Sequence, residues 1–228
     1  MKSAAFDYVK PKALQEALSL LEEAGEDARL IAGGQTLLAT LNMRLSEPSV
    51  LIDITDIAEL KGISVVGDNL RIGALVTHTE IEDSELVAKH APLLKAAAPH
   101  IAHRAIRNLG TWGGSLAYGD PAAEWPACSL ALRATMVIHG PAGERRISAN
   151  DFFIDLYTTS LEPDEILVAT EIPLASKQEV FYFHELARRH GDYAVAGLAA
   201  VAQKQGDVLT QCAFTFFSVG ATPVIATK

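Results

Sequence analysis

The chain has 228 residues, 49% hydrophobic and 21% charged, which excludes a disordered polymer and supplies enough apolar surface for two or three packed subdomains. A formal net charge of -9, with basic pairs no longer than Arg145-Arg146 and Arg188-Arg189, argues against a nucleic-acid partner. No uncharged apolar run reaches the roughly 18 residues of a membrane span, residues 1–10 hold no signal core, and Cys128 and Cys212 are too few and too far apart for a metal cluster. Two free thiols fit a reducing compartment, so the cytoplasm is the expected location.

Lys10-Pro11 opens a helix in which Leu14, Ala17, Leu18, Leu21 and Ala24 keep helical spacing, with Gly25 to end it. Residues 29–32 read as a short buried strand running into Gly33-Gly34, and residues 50–53 as another. A hairpin pairs residues 63–66 with 70–74 around Gly67-Asp68-Asn69. The pattern turns helical from 79 to about 98, divided at Pro92, and residues 101–109 add a short helix ending at Gly110. Residues 121–132 are expected to form a helix capped by Asp120. A second hairpin joins 136–138 to 144–147, and a strand at 165–172 stops at Pro173. The remainder reads as strand, helix, strand over residues 180–186, 193–202 and 208–219. The fold class is α+β, with units expected at 1–55, 56–173 and 174–228.

Two glycine pairs carry the chemistry, Ala32-Gly33-Gly34-Gln35-Thr36 and Thr111-Trp112-Gly113-Gly114-Ser115. Glycine permits positive φ and lets successive backbone amides approach an anion, while Thr36, Thr111 and Ser115 add hydroxyl donors. One such pair is often only a turn. Two with matching chemistry fit a diphosphate gripped from two sides. The chain has no GxxxxGK[ST] and no GxG triplet, which excludes a P-loop and a Rossmann dinucleotide site. Without a GxSxG or HExxH motif, no catalytic residue and no metal ligand is assigned; His100 and His103 lack a third ligand and read as structural.

Four stretches in order resemble the FAD-binding medium subunits of molybdenum hydroxylases, the carbon monoxide dehydrogenase and xanthine dehydrogenase flavoprotein family. They are IAGGQTLLATLNMRLSEPSVLIDI (31–54), IRNLGTWGGSLAYGDPAAEWPA (106–127), DFFIDLYTTSLEPDEILVATEIP (151–173) and FHELARRHGDYAVAG (183–197). The second is the most specific. The resemblance implies a two-subdomain FAD-binding fold of the vanillyl-alcohol oxidase type plus a short C-terminal α+β domain. Leu30, Ile31, Ala32, Gly33, Gly34, Gln35, Thr36 and Leu37 would wrap the pyrophosphate. Thr111, Gly113, Gly114 and Ser115 would meet it from the other side, with Ala117 beside them, and a Cβ at Gly114 is expected to intrude on it. Ile101 and Ala102 would line the adenine or ribityl path, and Glu124 would hydrogen-bond the cofactor. Leu167 and His184 would lie near the flavin, and Tyr193 beside its isoalloxazine ring.

Residue chemistry alone leaves blander readings open. Glu124 also fits a first-turn acid favoured by a helix dipole. His184 fits an outward-facing strand residue, and Tyr193 a half-buried core aromatic. The resemblance further implies electron transfer from the iron–sulfur clusters of a 2Fe-2S small subunit to an external acceptor. Substrate would be oxidised on a molybdopterin-binding large subunit, in a hetero-oligomer. A stand-alone FAD-dependent oxidoreductase and a non-catalytic scaffold of the same fold are the alternatives. Family members usually continue past residues 218–228, so the C-terminal domain is expected to be shortened.

Overall fold

The structure, a computed structural model, describes residues 2–226, so Met1, Thr227 and Lys228 of the expected first and last units lie outside the described residues. The first unit is β1 (Asp7–Val9), α1 (Leu14–Ala24), β2 (Ala28–Ile31), α2 (Leu37–Asn42) and β3 (Val50–Asp53). Its strands form a parallel sheet in the order β1-β3-β2. Parallel neighbours need crossovers, which α1 and α2 supply. Helical spacing puts Ala17, Leu18 and Leu21 on one stripe of α1, and all three are buried. Gly25, at φ +58°, ends the helix.

Next come β4 (Ile63–Val66), β5 (Asn69–Gly73), α3 (His78–Asp83), α4 (Glu85–His90), α5 (Pro92–Ala97), α6 (Arg104–Arg107), α7 (Trp112–Tyr118) and α8 (Glu124–Ala131). They are followed by β6 (Thr135–Gly140), β7 (Gly143–Ser148), α9 (Ala149–Phe152), β8 (Phe153–Asp155), β9 (Thr158–Thr159) and β10 (Ile166–Pro173). Both expected hairpins form, within an antiparallel sheet ordered β4-β5-β10-β6-β7. Its central strand, β10, is buried on both faces. Ile166 and Val168 join the core of α1 and β3, while Leu167 and Ile172 join the core of the helices.

Three helix expectations in this part of the chain are corrected. Residues 79–98 break at Ser84 as well as before Pro92, because the Ser84 hydroxyl accepts from Val87 N–H and caps a new helix. Residues 101–109 are helical only over α6, since Ala102 has a φ of +42° that no right-handed helix accommodates. Asp120 does not cap α8; its carboxylate accepts from Ala122 N–H at 2.9 Å, closing a tight turn before the helix starts at Glu124.

The last sheet is antiparallel, β11 (Glu179–Leu186), β12 (Ala196–Gln205), β13 (Val208–Phe217) and β14 (Val224–Ile225) in that order. The helix expected over 193–202 is therefore strand β12. The described residues after Pro173 contribute strands only, not the α+β mixture expected there. Phe183, Ala199, Val201 and Phe217 on the inner face join the same core as α5 and α8.

Candidate functional site

A cleft of about 970 Å³ lies between the β2–α2 turn, the start of α7, the turn at residues 101–102 and residues 191–193. β2 delivers the chain into it. Gly34 takes a φ of +69°, open to glycine at little cost, and its carbonyl accepts from Leu38 N–H at 3.0 Å. The Gln35 side-chain amide donates to Gly33 O at 2.9 Å and ties the turn. Among the described residues, no protein acceptor meets the backbone N–H groups of residues 33–37. Left-handed Gly34 and right-handed Thr36 thus bracket a turn whose N–H groups are left free, a backbone able to take an anion.

The second glycine pair is built differently. It is the first turn of α7, with Thr111 as the cap, and not a loop. Trp112 N–H donates to Val76 O and Gly113 N–H to Ala74 O, both at 2.8 Å. Gly114 N–H donates to Thr111 Oγ1 at 3.2 Å, and Ser115 N–H to Thr111 O at 3.1 Å. These amides are spent within the fold, which leaves the Thr111 and Ser115 hydroxyls to face a ligand. A Cβ at Gly114 would meet Thr111 Oγ1, the cap of α7, at 2.7 Å. Close backbone approach explains the other glycines. A Cβ on Gly33 would lie 2.0 Å from Leu109 O, and one on Gly113 2.4 Å from the Ala74 Cβ.

Carboxyls and tyrosines form a further wall. Glu124 is 7% exposed and has no cation within ion-pair reach among the described residues. Burial, with smaller repulsion from Glu185 and Asp120, pushes its carboxyl up to about 8. Burial also raises Asp120, against the Ala122 N–H bond. Tyr118 and Tyr157 face each other with ring centroids 5.2 Å apart. Solvent reaches 63% of Tyr193, yet the crowded cleft, followed by Asp120 and Glu124, pushes its phenol up to about 12. Glu165, also on the lining, is neutralised by two 2.6 Å bonds from Arg145.

Beneath this wall His78 is buried, and its Nδ1 accepts from Trp125 Nε1 at 2.9 Å. That bond needs a neutral ring, and burial, helped by Arg107, lowers the imidazole to about 3. Trp125 packs edge-on to Trp112, whose Nε1 donates to Thr170 at 2.8 Å. The floor is therefore a rigid aromatic layer held by satisfied polar groups.

Residues from both glycine pairs line the cleft together: Leu30, Ala32, Gly33, Gly34, Gln35, Thr36 and Leu37 with Thr111, Gly113, Gly114, Ser115 and Ala117. Ile101, Ala102, Glu124, Leu167 and Tyr193 line it as well. Two proposed residues do not. Ile31 packs behind Gly34, and His184 lies exposed on β11, 6.3 Å from the Tyr182 ring between centroids. Sequence reasoning missed His78, Tyr118, Tyr157 and Gly191, and it read Asp120 only as a cap. A signal existed for one of these: Tyr118 and Asp120 flank Gly119, whose φ of +66° ends α7 and turns the chain back to the cleft.

Residues 4–175 match the family described as FAD binding domain in molybdopterin dehydrogenase. The nicotine 6-hydroxylase medium subunit of Paenarthrobacter nicotinovorans is 45% identical over 201 residues, 88% of this chain and 70% of that one. A solved chain of carbon monoxide dehydrogenase from Hydrogenophaga pseudoflava superposes with a TM-score of 0.97 at 38% identity, covering 99% of this chain and 78% of that one. A chain of quinoline 2-oxidoreductase from Pseudomonas putida 86 gives 0.94 at 42% identity, covering 99% and 78% respectively.

Proposed function

This chain belongs to the family of FAD-binding domains of molybdopterin dehydrogenases, and from that premise we propose that it is the FAD-binding, electron-transferring medium subunit of a molybdenum hydroxylase complex. Its partners are a molybdopterin-binding large subunit and a 2Fe-2S small subunit. Electrons pass from the iron–sulfur clusters to an external acceptor, and bound FAD supplies the redox chemistry.

The observation that carries the reading is the set of free N–H groups at residues 33–37, opening into the cleft opposite the Thr111 and Ser115 hydroxyls. A diphosphate satisfies both at once. This chain's residues bind and orient: the turn at 33–37 holds the anion, Ile101 and Ala102 form the apolar flank, and Tyr193 covers the mouth. Glu124, neutral near pH 7 by virtue of its burial, offers a hydrogen bond without adding charge beside a diphosphate. In this reading 1–55 and 56–173 are the two FAD-binding subdomains of a vanillyl-alcohol-oxidase-type fold, and 174–228 is the C-terminal flavoprotein domain. The turn at 33–37 and the β2 strand lie in the first, and Thr111, Ser115 and Glu124 in the second.

No helix among the described residues is long and apolar enough to cross a membrane. Cys128 and Cys212 carry no disulfide, in keeping with the cytoplasmic location we propose.

The test is the absorbance spectrum of the purified chain, followed by release and identification of the chromophore. Near-stoichiometric FAD is expected, in company with iron–sulfur and molybdopterin subunits. A chain that stays colourless after incubation with FAD, alone and with those subunits, sinks the reading.

A further inference from the structure

The turn at Ile101 and Ala102 lines the cleft, although Ala102 is held at a φ of +42°. A non-glycine residue keeps such a conformation only where its surroundings impose it. Arg107, 7% exposed and outside the cleft lining, does so from beneath. Its Nη1 donates to Ile101 O at 2.9 Å and to Ala102 O at 3.2 Å, while Nε donates to Glu82 Oε2 at 2.9 Å. Glu82 is itself held by Arg104, at 3.0 Å. On the far side Gly191 is pressed so close that a Cβ there would lie 3.0 Å from Ala102 O.

Sequence order shows why a brace is needed. The turn follows a 3-10 segment ending at His100 and precedes α6, which starts after His103, so no regular ladder fixes residues 101–102. Carbonyl oxygens left free at a cleft wall would repel an anionic ligand. Arg107 draws both of them to its Nη1 while Nε, on the other arm of the guanidinium, holds Glu82, and a lysine, with one nitrogen, cannot divide the two tasks in this way.

We propose that Arg107, anchored by Glu82, is a positioning residue for the flavin site: it holds the strained Ala102 turn with its carbonyls withdrawn from the cleft. The proposal rests on the FAD reading above. Its action on the ligand runs through Ala102, which gives it a readout that a purely structural arginine would not move.

The experiment titrates the full chain with FAD, following flavin fluorescence, for the wild type, Arg107→Met, and Arg107→Met combined with Ala102→Gly. Thermal unfolding without flavin is recorded beside each. Arg107→Met is expected to weaken FAD at least tenfold. Ala102→Gly, which adopts positive φ without enforcement, is expected to recover at least half of that loss on a logarithmic scale. A folded Arg107→Met chain that binds FAD within threefold of wild type overturns the proposal, as does a loss that Ala102→Gly leaves untouched. Should Arg107→Met not fold, Glu82→Gln takes its place in the same pair of titrations under the same criteria. A wild-type chain that takes up no flavin, alone and with the iron–sulfur and molybdopterin subunits, overturns the cofactor reading itself, an outcome distinct from equal binding by both chains.

Discussion

The two glycine segments look alike in sequence, each a Gly-Gly pair among small hydroxyl residues, and the fold uses them in opposite ways. At residues 33–37 the backbone amides stay free and face the cleft. At residues 112–115 every amide is taken, two by the 74–76 segment and two by Thr111. In the proposed reading the first segment offers its backbone to a ligand, while the second gives its backbone to the fold and offers only two hydroxyls. What joins them is contact: Gly33 stacks directly on the Leu109–Gly110 backbone that leads into the second segment. A glycine pair in a sequence therefore marks close backbone approach, and only the acceptor list of its amides tells whether a ligand or another strand is approaching.

The largest effects should come from breaking that contact. Gly33→Ala would place a Cβ 2.0 Å from a backbone oxygen, which no rotamer change relieves. Gly113→Ala collides similarly with Ala74. Each is expected to cost about 3 kcal/mol of stability, read from the urea midpoint. Gly34→Ala meets only side-chain atoms of Ile31 and Leu38 and keeps a left-handed φ, so a cost of roughly 1–2 kcal/mol is expected. If Gly33→Ala proved no worse than Gly34→Ala, the two segments would not be stacked as described.

The segments also differ in charge, because the second runs on into the buried Glu124. A carboxyl whose folded value of about 8 exceeds its ordinary 4.5 holds a proton that the unfolded chain has lost between those limits. The native state then binds more protons, so stability falls as pH rises from 4.5 to 8 and levels off above that. His78 acts in the opposite sense, its lowered value removing stability as pH falls from 6.5 toward 3. The Glu124 contribution is read as the difference between wild type and Glu124→Gln from pH 6.5 to 8, in which the contributions of His78, His100 and Glu185 cancel. Wild-type stability relative to Glu124→Gln should decline as pH rises across that interval; parallel curves for the two chains would show that the carboxyl is ionised throughout.

How far all this was legible in the sequence depends on the range of the signal. In the first unit α1, β2 and β3 were readable because their cues are local: an apolar stripe, a glycine stop and short aliphatic runs. The three-residue β1 and the six-residue α2 carry too few residues to show a period. β12 was unreadable for another reason. Its run Ala196-Gly-Leu-Ala-Ala-Val-Ala favours helix by intrinsic propensity. Pairing with β11 and β13 overrides that preference, and Gly197 has to lack a side chain because the Phe217 ring occupies that space. The α7 helix was hidden for a related reason, since Gly113 and Gly114 argue against helix until Thr111 is seen to cap it. In the candidate site the turn at 33–37 was visible as a glycine pair. Tyr157 was not, because it lies far along the chain and reaches the cleft through a turn with a φ of +53°.

The finest test of the comparison sets two hydroxyls of the second segment against each other. Thr111 Oγ1 accepts from Gly114 N–H and caps α7, so Thr111→Val, which keeps the shape, should cost about 1 kcal/mol of stability. Ser115 Oγ has no protein partner among the described residues, so its loss in Ser115→Ala should leave stability within about 0.5 kcal/mol. A hydrogen bond to a charged oxygen is worth about 1.5–3 kcal/mol, so the same change should weaken FAD by about tenfold or more. Urea denaturation and flavin titration on both variants separate the two roles. A Ser115→Ala chain that keeps wild-type affinity would remove that hydroxyl from the ligand. The turn at 33–37 would then stand as the sole grip on the anion, and the second segment would serve only to hold it in place.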